Sequence, residues 1–432
     1  MPREFENVVC TVCGCVCDDL RLRIENGTLR PQANVCSLAR PWFDRLAEAS
    51  LPAGEPAPAR IHGRSASREA ALAASAEILK ASRAPLIYGL SRSSTPGQRA
   101  AVALAEQIGA VIDTTASVCH GPSIMAIQRV GESTSTLGEI RERADLVVFW
   151  GADPMTTHPR HFERYSVEPR SGTLPNGRDD RTVVVIDSRE TETARRADIF
   201  IRVDPRRDFE LIATLRSLLS GQPTPLPGNC GVSRGEVEKL VSLMTGCRYG
   251  VVFFGLGIAQ QSLGHLTVET LLQLVAELNA HTRFTARRLR IPGDVSGADS
   301  VLCWQTGYPF AVSLNRGFPR YNPGEFTAAD LLQRREVDAC LIVGSESVVD
   351  FPDDALDELR RLPTIVLDYP HAACSFPPTV SLTTAVYGIH AAGTAYRMDE
   401  MPLPQRQLIE SNYPTDREIL ESLQRQLPRP NV

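Results

Sequence analysis

Lysine is almost missing from this 432-residue chain. It stands only at Lys80 and Lys239, and arginine carries the rest of the positive charge. That bias is what a GC-rich coding sequence produces and carries no mechanism by itself. No basic run is present and the formal net charge is −5, so the electrostatic footprint of a nucleic-acid binder is absent. No window approaches the ~18 uninterrupted apolar residues of a membrane span. The opening, Met1-Pro-Arg-Glu-Phe-Glu6, has no apolar core of a secretory signal, which makes the cytoplasm the expected compartment. No short-period repeat and no low-complexity tract is evident. Cysteine, 11 in 432, is too sparse for a disulfide scaffold.

What is present is core material. Hydrophobic residues make up 43% of the chain and charged ones 22%, enough for two or three domains of roughly 100–200 residues. A first zone, residues 1–62, shows strand-like alternation at Asp19–Ile24, an Asn26-Gly27 turn, and a Pro/Ala/Gly linker from Leu51 to Arg60. Beyond it, helical stretches (Ser67–Ser82, Pro96–Ile108) alternate with short apolar runs. Strands are expected at Ala84–Leu90, Ala110–Asp113, Leu146–Trp150, Thr182–Asp187, Tyr249–Gly255, Ala339–Gly344 and Thr364–Asp368. Apolar runs stopping at Gly, Asp or Pro, with helices between, are the pattern of doubly wound parallel sheets. Such sheets bind ligands beyond the carboxyl ends of their strands.

Five cysteines fall in the first 36 residues. Cys10, Cys13, Cys17 and Cys36 have the spacing C-x2-C-x3-C-x18-C. Three thiolates on a tight loop with a distant fourth suit a [4Fe–4S] cluster. The alternative is a structural Zn(Cys)4 site, which usually comes as two C-x2-C pairs; here the second half offers a single cysteine. Cys15 is an extra thiol of unassigned role. Cys230, Cys247, Cys303, Cys340 and Cys374 read as small core residues.

An N-terminal cysteine cluster followed by alternating α/β sequence resembles the molybdopterin oxidoreductase superfamily. Gly151-Ala-Asp-Pro-Met-Thr-Thr-His158-Pro159 resembles that family's strand-end loop, and Asp187-Ser-Arg189 through Ala197-Asp198 its pterin-dinucleotide stretch. Phe254-Gly-Leu-Gly-Ile-Ala-Gln260 resembles its Gly-x-Gly-x-x-Gln turn. Arg290-Ile-Pro-Gly-Asp-Val-Ser-Gly-Ala-Asp299 resembles the segment with a substrate-facing arginine. Ser117-Val-Cys119-His120-Gly-Pro-Ser123, Trp304-Gln-Thr-Gly-Tyr-Pro309 and Tyr321-Asn-Pro-Gly-Glu325 are similar to the B subunit of formylmethanofuran dehydrogenases. They also point to its counterpart in the bacterial formyltransferase/hydrolase complex.

The resemblance implies an α/β fold of the formate dehydrogenase/DMSO reductase kind. A small iron–sulfur domain (1–62) would precede two doubly wound domains, one discontinuous (63–140 with 298–432) and one pterin-binding (141–297). It implies a [4Fe–4S] cluster on Cys10, Cys13, Cys17 and Cys36, and bis-molybdopterin guanine dinucleotide with tungsten or molybdenum. Cofactor-binding positions would be Gly151, Asp153, Pro154, His158, Asp187, Arg189, Gly255, Gly257 and Gln260. The implied reaction is reversible interconversion of CO2 and formate in methanofuran-linked one-carbon metabolism. Cys119 would complete the metal's coordination, a role suited to a soft thiolate. His120 would shuttle a proton, its ordinary pKa being near neutrality. Arg290 would hold the carboxylate through paired N–H donors.

Implied partners are the other chains of such a complex: an amidohydrolase-like A subunit, the C subunit, and a β-barrel D subunit that supplies the barrel domain missing here. A ferredoxin-type electron carrier is implied as well. Nucleic acid and membrane are not expected. Two departures stand out. The lysine that often follows the fourth cysteine by two residues is Leu38 here, with Arg40 the nearest cation. The sequence after Arg290 is Ile-Pro-Gly-Asp, without the family's histidine. A non-redox member of the bacterial complex is therefore the competing reading, against which stand the retained thiols.

Overall fold

The structure is a computed structural model that describes all residues except 1, 26, 48–54, 56, 205, 223–229 and 429–432. The chain forms two compact units, Met1–Val118 with Pro292–Val432, and Cys119–Ile291. It enters the second unit at Cys119 and leaves it at Ile291.

The first unit holds a nine-stranded sheet. Its order is Arg320–Tyr321, Val312–Ser313, Val111–Thr114, Pro85–Gly89, Ala339–Val343, Thr364–Asp368, Val380–Thr383, Ala59–Ile61, Arg64–Ala66. The five strands from Val111–Thr114 to Val380–Thr383 are parallel, and antiparallel strands close both edges. Alternation of period two divides the core. Ile87, Leu341, Ile365 and Leu367 face one helical layer, and Leu86, Tyr88, Cys340, Ile342 and Val366 face the other. Helices Arg68–Ala81, Thr95–Ile108, Val295–Thr306 and Asp416–Gln426 cover the first face; Ala328–Gln333 and Asp353–Leu359 cover the second. Ser67 caps the first of these helices by accepting from the Ala70 N–H at 3.1 Å, and Thr415 with Glu418 forms a capping box on the last.

The first unit also carries a three-stranded antiparallel sheet, Arg3–Val8, Leu20–Glu25 and Thr28–Ala33. Glu25 pairs with Thr28, and Gly27 has φ 77, as a two-residue hairpin requires. Asn26 lies outside the described residues, as do 51–54 and 56 of the expected linker. The end of that linker is corrected: Ala59 and Arg60 already belong to a strand paired between Val380–Thr383 and Arg64–Ala66.

The second unit is built on a five-stranded, wholly parallel sheet. Its order is Ile199–Arg202, Thr182–Asp187, Leu146–Trp150, Tyr249–Phe254, Arg283–Arg288. All residues of Leu146–Trp150 and Tyr249–Phe254 are buried, because helices lie against one face and a Phe149, Phe162, Phe253 stack against the other.

Each of the seven expected parallel strands is present within a residue or so of its expected limits. Three of the parallel strands among the described residues escaped sequence reading: Val380–Thr383, Ile199–Arg202 and Arg283–Arg288. Ile199–Arg202 is short, and Arg283–Arg288, with three arginines in Arg-Phe-Thr-Ala-Arg-Arg, resembles a solvated face. Arg287 and Arg288 are nevertheless buried, Arg287 donating to Thr134 Oγ1 at 2.5 Å. Of the five cysteines read as core, Cys230 and Cys340 are buried, Cys247 and Cys374 half-buried, and Cys303 is exposed. Among the described residues no helix is long and apolar enough to cross a membrane.

Candidate functional site

Three groups of sequence-singled residues acquire geometry. The first is the cysteine loop, in the first unit between the strands Arg3–Val8 and Leu20–Glu25. Cys10 N–H donates to Cys17 C=O at 2.8 Å and Val16 N–H to Cys13 C=O at 3.1 Å, folding the loop on itself. Val16 takes φ 36 to do so. The Thr28–Ala33 strand brings Cys36 back toward the loop, and Arg40 N–H bonds the Cys36 carbonyl at 3.0 Å.

Burial pushes the Cys10 thiol well up, and negative charge on Cys17, Cys13 and Cys36 pushes it further. The Cys10 sulfur therefore lies within electrostatic reach of the other three. Among the described residues no three His, Cys, Asp or Glu side chains converge on a point for one ion. A four-iron cluster asks for something different, four thiolates set around a larger body, and the loop with Cys36 offers that donor set without disulfides.

The second group lies at the carboxyl ends of the second unit's strands. Gly151 follows Leu146–Trp150 with φ 56, and Gly255 follows Tyr249–Phe254. Gly257 N–H bonds Gly151 C=O at 3.2 Å. A Cβ on Gly255 would stand 2.5 Å from that carbonyl oxygen, and one on Gly257 2.8 Å from it. The glycines are thus required by the contact of two strand-end loops with each other, before any ligand is considered.

Two adjoining cavities of about 490 and 390 Å³ open there, sharing Gly151, Asp187, Ser188 and Gly257. The larger adds Gln260, and the smaller adds Asp153, His158, Arg189 and Gly255. Of the expected cofactor positions, only Pro154 lines neither. It is buried at the start of the one-turn helix Pro154–Thr157. Asp153 is largely committed to its own loop, accepting from Thr193 N–H at 3.0 Å and Thr156 Oγ1 at 2.7 Å.

Sequence reading missed Asp208, Gln261, Ser188 and Arg206 in the larger cavity. Asp208 accepts from Trp150 Nε1 at 2.7 Å and Gln261 Nε2 at 2.6 Å. Burial raises the pKa of both Asp208 and Asp187. Asp208 was discoverable as an acidic residue opening a helix after a strand, but the unrecognised strand Ile199–Arg202 hid that context.

The third group gathers where the chain enters and leaves the second unit. Cys119 is buried, its Sγ 3.8 Å from the carbonyl of Ile291. His120 precedes helix Gly121–Val130 and is fully buried. A carbonyl can only accept, so His120 Nε2–H donates to Leu289 C=O at 3.0 Å, and Nδ1 accepts from Ser123 Oγ at 2.9 Å. His158 does the same one residue on: Nε2–H donates to Arg290 C=O at 2.9 Å and Nδ1 accepts from Thr157 Oγ1 at 2.8 Å. Two neutral imidazoles therefore pin successive carbonyls of the segment that bears Arg290, itself 1% exposed.

Burial, then the charges of Arg290 and Arg288, push His120 well below its ordinary pKa; burial brings His158 to about 4. The shuttle expected of His120 rested on the ordinary histidine pKa, and in this structure burial and the neighbouring arginines hold the ring well below it. Both ring nitrogens are engaged and the charged form is disfavoured, so the ring acts as a fixed donor to Leu289 C=O.

No family profile matches the chain. It is 38% identical to the B subunit of tungsten-containing formylmethanofuran dehydrogenase 2 from Methanocaldococcus jannaschii over 428 residues, 98% of each chain. It is 26% identical over 285 residues, 66% of this chain and 74% of the relative, to the B subunit of the formyltransferase/hydrolase complex Fhc of Methylorubrum extorquens. Among solved structures, the X-ray structure of the latter complex (FhcABCD) with methylofuran matches with a TM-score of 0.71 at 23% identity, covering 85% of this chain and 98% of that one. At that identity the structural likeness speaks for the fold, α/β with parallel sheets as expected.

Proposed function

The chain belongs to the family of the formylmethanofuran dehydrogenase B subunit, an oxidoreductase family, and on that premise we propose that it is the redox component of such a complex. In this reading CO2 takes up two electrons and one proton to give formate, or the reverse, within methanofuran-linked one-carbon metabolism. The observation that carries the reading is the packing of Cys119 against Ile291, the residue after Arg290, in a segment whose carbonyls His120 and His158 hold.

Cys119 is the proposed ligand to tungsten or molybdenum held by a bis-molybdopterin guanine dinucleotide; the metal–pterin group, when bound, supplies the two-electron chemistry at carbon. Arg290 orients the carboxylate by its paired N–H donors. His120 and His158 are positioning residues, keeping the Arg290 backbone fixed and the surroundings free of competing charge. The proposed dinucleotide site comprises Gly151, Asp153, His158, Asp187, Arg189, Gly255, Gly257 and Gln260, with Asp208 added from the structure and Pro154 shaping the loop. Buried carboxylates beside open backbone suit a ligand rich in N–H donors, as a guanine is.

Cys10, Cys13, Cys17 and Cys36 are the proposed holders of a [4Fe–4S] cluster that passes electrons to a ferredoxin-type carrier. The amidohydrolase-like A subunit, the C subunit and a barrel-bearing D subunit are the proposed partners, in the cytoplasm. Domain limits of 1–62, 63–140 with 298–432, and 141–297 are part of the same proposal.

A second reading has the chain as a non-redox component of a formyltransferase/hydrolase complex. The Ile291-Pro-Gly-Asp294 departure and the sequence similarity to the B subunit of that complex favour it. Metal analysis and low-temperature EPR on the anaerobically purified complex, before and after dithionite, separate the two. About four irons per chain with tungsten or molybdenum and a reduced-cluster signal support the dehydrogenase. Zinc, or no metal in an intact complex, overturns it in favour of the scaffold.

A further inference from the structure

A charged residue from far along the chain reaches the cysteine loop. Strand Pro85–Gly89 continues through Leu90 and Ser91 to Arg92, whose side chain is 14% exposed. Its Nη1 donates to the carbonyl of Thr11, between Cys10 and Cys13, at 2.6 Å. Its Nε donates to Glu346 Oε1. The other carboxylate oxygen of Glu346 accepts from the Tyr369 hydroxyl at 2.8 Å. Burial, with the Glu346 charge beside it, pushes the Tyr369 phenol up to about 12, so it stays a donor. The Tyr369 ring lies 6.1 Å from Trp42, on helix Arg40–Ala47 that follows Cys36.

The stem of Arg92 packs against Gly344. A Cβ on Gly344 would meet Arg92 Cβ at 3.1 Å, so that glycine leaves room for the arginine alone. Arg40, the cation nearest Cys36 in sequence, is exposed. Packing thus places one oriented guanidinium against the loop, clamped on one side to the Thr11 backbone and tied on the other toward the Cys36 helix.

We propose that Arg92, clamped by Glu346 and Tyr369, is the resident cation of the iron–sulfur loop and sets the reduction potential of the cluster held by Cys10, Cys13, Cys17 and Cys36. The inference rests on the cluster assignment made above. A one-electron reduction adds negative charge to the cluster, and a nearby positive charge stabilises the reduced form more than the oxidised one. In a site largely closed to water that attraction is weakly screened. Glu346 opposes it with charge of the other sign.

The test is an EPR-monitored redox titration of the anaerobically purified complex, with iron content, for wild type, Arg92→Gln, Arg92→Lys and Glu346→Gln. Iron is expected to stay at about four per chain in all of them. Arg92→Gln is expected to make reduction about tenfold less favourable, about 59 mV for a one-electron couple. Glu346→Gln is expected to shift the potential upward, and Arg92→Lys to stay near wild type. Two variants that break the same ion pair yet move the potential in opposite directions cannot do so through loosened packing. Four irons with unchanged potentials, or shifts of one sign in both, would overturn the role of Arg92 and leave the cluster assignment standing. If Arg92→Gln loses its iron, Glu346→Gln and Arg92→Lys still decide: an upward shift in the first beside an unmoved potential in the second supports the role of Arg92, and any other pattern overturns it. A wild-type complex without iron would sink the cluster assignment, and this inference with it.

Discussion

His390 should make the first unit acid-labile. Its ring is 7% exposed, lies 5.2 Å from the Tyr413 ring, and accepts at Nδ1 from the backbone N–H of Val386 at 3.2 Å. Protonating Nδ1 would turn that acceptor into a donor facing a buried N–H. Burial accordingly brings its pKa from the ordinary 6.5 to about 4. The sign follows from which state takes the proton first. Above 6.5 neither state is charged and stability is complete. As pH falls from 6.5 to 4 the unfolded chain binds a proton that the folded chain refuses. The gap is worth about 3 kcal/mol, all of it lost once the pH has fallen through the folded value.

The assay is hydrogen exchange at the protected amides of Val380–Thr383, together with urea unfolding, from about pH 8 to about pH 4.5. His390→Gln retains a carbonyl acceptor for Val386 N–H but cannot titrate. Its stability should fall less steeply with acid than that of wild type, by up to about 1.4 kcal/mol per pH unit below the ordinary histidine pKa. Parallel curves for the two proteins would refute the reasoning, since the histidine would then be able to charge in place.

Further outcomes can be stated for other sites. Gly255→Ala puts a methyl 2.5 Å from the Gly151 carbonyl oxygen, so unfolding free energy should fall by about 1–3 kcal/mol, whereas Gly246→Ala, with nothing within 4 Å, should change little. Cys119→Ser should keep its iron while losing CO2 and formate turnover by several orders of magnitude; unchanged turnover would remove Cys119 from the metal's coordination. Asp113→Ala deprives the N–H groups of Ala311 and Ala328 of a buried acceptor, and calorimetry should show a loss of at least about 2 kcal/mol. His158→Phe removes a donor to the Arg290 carbonyl, and should raise the KM for formate more than it lowers stability.

Much of the architecture was legible because it depends on local pattern. Apolar runs such as Leu146–Trp150 and Thr364–Asp368, each stopped by Gly or Asp, can be strands of a parallel sheet and little else. Ser67 and Ser82 bracket the helix between them by ordinary capping chemistry. Arg283–Arg288 was illegible for the opposite reason: its arginines look like surface until buried partners such as Thr134 and Glu132 come from elsewhere in the chain.

The site divides in the same way. Spacing alone nominated Cys10, Cys13, Cys17 and Cys36, because three of them share one short stretch of sequence, and it nominated the strand-end glycines because a bare backbone is a local property. Asp208, 58 residues beyond Trp150, and Arg92, 81 residues beyond Thr11, could be joined to the site only by folding. The protonation of His120 and His158 belongs there as well. A histidine carries no pKa of its own in sequence; the water it loses and the carbonyl it faces decide, and both are set by how distant segments pack.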